Sequence, residues 1–127
     1  MNTKLTKTAA VLAFIIGAMA IFAGGQVVLG KVMDYYLIDW LPIYNLTAGL
    51  VSALFTAVVI WKGSKIAMPA AIATFATHAV VMVVIQTAYQ DVVASDSTKA
   101  MIVRMIVWVL VLSLMIVQKN RDKKLSK

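Results

Sequence analysis

His78 is the single histidine of a chain that is 62% hydrophobic, and it falls near the middle of the apolar run Pro69–Tyr89, PAAIATFATHAVVMVVIQTAY. Imidazole titrates near physiological pH, so it suits proton carriage, donation to a ligand carbonyl, or metal ligation. At about 100° per residue, Thr74, His78, Met82, Ile85 and Tyr89 share one helix face, with Gln86 on its flank. A titratable ring is costly in hydrocarbon, so this face is expected to turn toward protein or a wet cavity. Three roles fit it. His78 packs against a hydroxyl such as Ser52 or Thr56, it contacts a quinone or carries a proton, or it ligates haem with Met82 or Met115 opposite. The haem role asks most of the sequence, because a bis-histidine site would need a second chain.

Arg104 is the other chemically loaded residue. It lies about two turns inside an apolar stretch, where a guanidinium must snorkel or find an acid. The acids at matching depth are Asp91, Asp39 and Asp34. In a functional role Arg104 anchors an anionic or carbonyl headgroup in an outward-opening pocket. Gln26, Asn45, Gln86 and Tyr89 reach similar depth in a regular bundle. The candidate binding set is therefore His78, Arg104, Gln86, Tyr89, Asn45 and Gln26. Trp108 and Met115 share Arg104's face, a stripe suited to interhelical packing. The chain has no cysteine and no glutamate, which excludes thiolate chemistry and Cys-ligated metals. No phosphate loop, HExxH, GxSxG or EF-hand pattern occurs. The sequence assigns no catalytic residue and no metal site.

The elements that carry these residues are apolar runs. With 127 residues, only 13% of them charged, and a mean hydropathy of +0.91, the chain is expected to be one all-α membrane domain over residues 1–127. Four transmembrane helices are predicted at about 8–29, 42–61, 66–90 and 97–118, with a solvated basic tail at 119–127. The first run has 22 residues, roughly 33 Å of helix, enough to cross a bilayer. Its Ala10, Ala13, Gly17, Ala20 and Gly24 form a small-residue stripe that admits a close neighbour. Lys4, Lys7 and the Ala18-Met19-Ala20 triplet resemble a signal peptide, but the apolar run continues well past that triplet. Gly30–Leu41 mixes Asp34 and Asp39 with Tyr35, Tyr36 and Trp40, the composition of a short interfacial segment. Pro42 suits the first turn of the second helix, on which Asn45, Gly49, Ser52 and Thr56 share a face. The Lys62–Lys65 turn, KGSK, makes helices two and three antiparallel neighbours. Ser95 or Asp96 suits the N-cap of the fourth.

Charge sets the expected topology. Nine of the twelve cations, with Asp122, fall on the side of both termini and the KGSK turn; three cations and four aspartates fall on the other. The balance is +8 against −1, which places both termini in the cytoplasm of a multi-pass cell-membrane protein. The cationic clusters lack a folded soluble face, so nucleic acid is not an expected partner.

A glycine-containing first helix closing with Ala23-Gly24-Gly25 and then Gly30-Lys31, an aromatic outer segment and three further helices together resemble the DoxX-like small four-helix membrane proteins. The resemblance covers most of the chain in layout. It implies a small membrane subunit, in some relatives associated with quinone-linked or sulfur redox chemistry, and it transfers no site residue. The leading expectation is a non-catalytic accessory subunit of a membrane complex. Its partners would be lipid and other membrane subunits or a second copy, met through the small stripe of the first helix. A small homo-oligomeric transporter or ion-coupled carrier is the alternative, as is a quinone- or haem-associated redox subunit. Carriers of this size usually bury a carboxylate, whereas every aspartate here lies at or beyond the interface.

Overall fold

The structure, a computed structural model, describes residues 4–30, 38–93 and 95–125. Its elements are α1 (Lys4–Val28), α2 (Leu41–Trp61), α3 (Ala67–Thr87) and α4 (Ser95–Leu125), and no strand occurs among the described residues. All four helices are long and apolar enough to cross a membrane. Much of the interfacial segment expected after α1, with Asp34, Tyr35 and Tyr36, lies outside the described residues.

The helix ends follow local chemistry. Pro42 sits in the first turn of α2, where its missing N–H costs nothing. Gly63 ends that helix at φ +65°, with Ser64 N–H donating to Val59 O and Gly63 N–H to Ile60 O, a Schellman closure. The tail departs from expectation. α4 runs on to Leu125 instead of ending near Gln118, because charged residues do not stop a helix and no glycine or proline follows Lys99. Gln118 Nε2 donates to Asp122 Oδ1 at 2.9 Å across one turn of this extension, and its cations suit the negative end of the helix dipole.

The helices form an arc in the order α2–α1–α4–α3, with broad contact along α1–α2, α1–α4 and α3–α4 and sparse contact between α2 and α3. The α1–α2 seam is the tightest. A Cβ at Gly17 would lie 2.8 Å from Ala53 N, and one at Gly49 would lie 2.6 Å from Gly17 O and 2.7 Å from Ile21 N. Ala10, Ala13, Gly17, Ala20 and Gly24 are all buried. The small stripe of α1 is thus largely spent within the chain, with Gly17 and Gly24 against α2, and does not present a free face to a lateral partner.

Two apolar clusters hold the arc. Near the KGSK end, Ala13, Ile60, Ala71, Trp108 and Val111 pack together with their neighbours. Toward the opposite end, Ile38, Leu41, Ile85 and Met101 form the second. The outward faces are also apolar, with Phe22, Leu54, Val80 and Val83 each more than 60% exposed. Helices hydrophobic all round are buried, in the core of a larger protein or in lipid.

Within α2, Val51–Thr56 is π-helical. Each turn there takes up an extra residue, which re-aims the side chains that follow, and such segments recur at functional sites.

Candidate functional site

Between the two clusters lies a polar layer supplied largely by α2. His78 of α3 is 2% exposed, and its Nδ1 is hydrogen-bonded to the Tyr44 hydroxyl. Neither Ser52 nor Thr56 fills the role expected of it. Ser52 is buried against Gly17, and Thr56 pairs with Thr74 at 3.2 Å between hydroxyl oxygens. Thr74 commits its own proton to Ala70 O at 2.8 Å, so Thr56 is the donor of that pair. The tyrosine meets the imidazole instead, from twelve residues nearer the start of α2 than Thr56.

Among the described residues the Tyr44 hydroxyl has no other partner; in the tautomer that accepts its proton at Nδ1, the imidazole carries its own proton on Nε2. Nε2 has no hydrogen-bond partner among the described residues, and the ring lines a cleft of about 320 Å³ between α2 and α3. The cleft walls are mostly apolar: Ala48, Val51 and Phe55 from α2, Ala70 and Ala73 from α3. Thr47, Thr74 and Thr77 add hydroxyls, and Thr77 already donates to Ala73 O at 2.8 Å. Val51, Phe55, Ala73 and Thr77 are also exposed at mid-helix, so the cleft opens sideways rather than at an end of the bundle. The π-helical stretch forms part of one wall.

Rings continue from this pair in both directions. Tyr44 meets His78 edge-on, with centroids 5.8 Å apart at 86°, and Trp108 lies 6.4 Å beyond His78 at 38°. Trp40 stands 6.4 Å from Tyr44 and 5.9 Å from Tyr89, and its Nε1 donates to the Tyr89 hydroxyl at 3.1 Å. Trp108 Nε1 is buried without a partner among the described residues. Trp108 therefore does more than line the face of Arg104: it backs His78.

Arg104 is 4% exposed, and the partner the structure gives it is neutral. Its guanidinium donates to Asn45 Oδ1 at 2.5 Å and reaches Met101 Sδ at 3.5 Å. Asp39 and Asp91, expected to neutralise it, are exposed on the connecting segments, and Asp34 lies outside the described residues. No carboxylate pairs with Arg104 among the described residues. Asn45 and Tyr44 are consecutive, so α2 presents one residue to Arg104 and the next to His78.

The remaining candidates fall away from the cleft. Gln86 is exposed and donates to Thr98 Oγ1 at 2.8 Å, tying α3 to α4. Tyr89 closes the ring series near the far end, and Gln26 sits partly buried toward the end of α1. Met82 packs against one apolar cluster and Met115 belongs to the other. Among the described residues no three His, Cys, Asp or Glu side chains gather where they would hold a metal ion. Tyr44 was not singled out from the sequence, although its place one residue before Asn45 and among aromatic neighbours was visible. Comparison of the chain with protein-family models, curated proteins and solved structures finds no match, so the likeness to DoxX-like proteins is one of layout alone.

Proposed function

We propose that the chain is a four-span integral protein of the cell membrane with both termini in the cytoplasm. In this reading it is a non-catalytic accessory subunit that holds a lipid-soluble, ring-bearing ligand of the quinone class in the cleft between α2 and α3. The observation that carries the reading is the His78–Tyr44 pair on the wall of a cleft that opens sideways. A ligand arriving through lipid needs a lateral entrance, apolar walls and a few placed polar groups. Nε2–H of His78 suits a ligand carbonyl, Tyr44 holds the tautomer that keeps that proton there, and Phe55 offers a ring face. A bound quinone would supply two-electron redox chemistry to a partner. The residues of this chain only bind and orient it.

The test is titration of decylubiquinone into the protein in lipid nanodiscs, read by quenching of tryptophan emission. Saturable quenching is expected, weakened about tenfold in His78→Ala, the order of one lost hydrogen bond in a low-dielectric site. Equal quenching in wild type and variant, or none that saturates, removes the ligand reading. The topology rests on nine of twelve cations lying on one side. Reporter fusions at the C-terminus and within Lys62–Lys65 should report the same, cytoplasmic, side.

A further inference from the structure

A second groove lies between α1 and α4, with a volume of about 230 Å³. Its walls are Ile16, Met19 and Ala23 of α1 and Val103 of α4, and its charged members are Arg104 and Lys99. Met19 and Val103 are about half exposed, so the groove opens on the outer surface of the bundle. Arg104 lies seven residues after Ser97, roughly 10 Å along the helix, and Lys99 lies more than a turn nearer that end.

From this we infer that the groove binds the phosphate of an anionic phospholipid, with one acyl chain laid along Ile16, Met19 and Val103. Two cationic residues line the same small groove, and among the described residues no carboxylate does. The neutral amide of Asn45 accepts a hydrogen bond from the guanidinium without compensating its charge. A charge so deeply buried is normally paired, and an unpaired one at bilayer depth is strongly unfavourable. A phosphate oxygen supplies the missing charge and accepts from the guanidinium in the geometry that arginine favours. The apolar walls decide the source, because they give a free inorganic anion nothing and give a lipid chain a surface to lie on. The site is separate from the α2–α3 cleft. It rests on the bilayer placement proposed above and not on the cleft's ligand.

The test uses the full chain in nanodiscs of mixed phosphatidylglycerol and phosphatidylcholine, followed by native mass spectrometry of the lipid retained after release. Wild type is expected to keep one phosphatidylglycerol with about tenfold preference over phosphatidylcholine, the scale of one charge-assisted contact. Three variants should reduce that preference to near unity. Arg104→Gln removes the charge, and Asn45→Asp supplies an internal carboxylate at the present amide position. Ala23→Leu fills the groove and leaves both cations in place. Asn45→Asp and Ala23→Leu keep the inference testable should Arg104→Gln not fold. Undiminished preference in Asn45→Asp and Ala23→Leu overturns the proposal. Displacement of the lipid by millimolar inorganic phosphate also overturns it, by showing a free-anion site. Decylubiquinone titration in the Ala23→Leu nanodiscs should be unchanged, which separates failure here from failure of the cleft reading.

Discussion

Adding one methyl group to Gly49 tests the packing on which the polar layer stands. In Gly49→Ala the new Cβ would sit 2.6 Å from Gly17 O and 2.7 Å from Ile21 N, both backbone atoms of α1 that cannot swing aside. Ordinary contact begins at 3.4 Å, so α1 and α2 must separate by about 0.8 Å at their closest point. Overpacking of this kind costs about 1–3 kcal/mol. Exchanging glycine for alanine in a helix returns up to about 1 kcal/mol, leaving a net loss of up to about 2 kcal/mol. Gly25→Ala is the matched control, because its Cβ would meet only Leu46 Cδ1 at 3.9 Å. That variant should be neutral or gain up to about 1 kcal/mol from helix propensity. Reversible unfolding in mixed micelles titrated with dodecyl sulfate, followed by far-ultraviolet circular dichroism, measures both. Equal stability of the two variants would refute the close α1–α2 approach, and with it the placement of Tyr44 and Asn45.

Other substitutions probe single contacts. Tyr44→Phe removes the donor to Nδ1 and frees the imidazole to exchange tautomers, so decylubiquinone affinity should fall about five- to tenfold with the helical dichroism unchanged. Gly63→Ala places a side chain at φ +65° and should lower stability by about 1–2 kcal/mol in the micelle titration, whereas exposed Lys62→Ala should leave it unaltered. Lys7 Nζ sits 4.4 Å from the centre of the Trp61 ring, so Lys7→Ala should cost no more than about 1 kcal/mol while shifting the tryptophan emission.

The four helices were legible because long uncharged runs carry their own length, and the KGSK turn was legible from glycine and charge. The partners of His78 and Arg104 were not. Depth along a helix pointed to Ser52 or Thr56 for the imidazole, but Ser52 packs against Gly17 and Thr56 is taken by Thr74, which leaves the hydroxyl of Tyr44 to meet the ring. The rule that a buried cation seeks an acid pointed Arg104 to Asp39 and Asp91. Both sit on connecting segments and face solvent, while Asn45 meets the guanidinium from the neighbouring helix. The small stripe of α1 was read correctly as a site of close approach. Spacing alone does not say whether such a stripe meets its own chain or another. The π-helical stretch VSALFT, which follows Asn45 and ends at the Thr56 that meets Thr74, carries no composition signal.

The sparse α2–α3 contact divides the molecule as a spine divides a book. α1 and α4 form the spine, α2 and α3 are the covers, and few fastenings hold the covers together: the Tyr44–His78 bond, the Thr56–Thr74 bond and the Trp40–Tyr89 bond. With contact between α2 and α3 so sparse, width is the dimension that changes with the fewest contacts broken. Guests of unequal breadth can then be admitted at nearly equal cost, and selectivity falls to the fastenings, not to the fit of the walls.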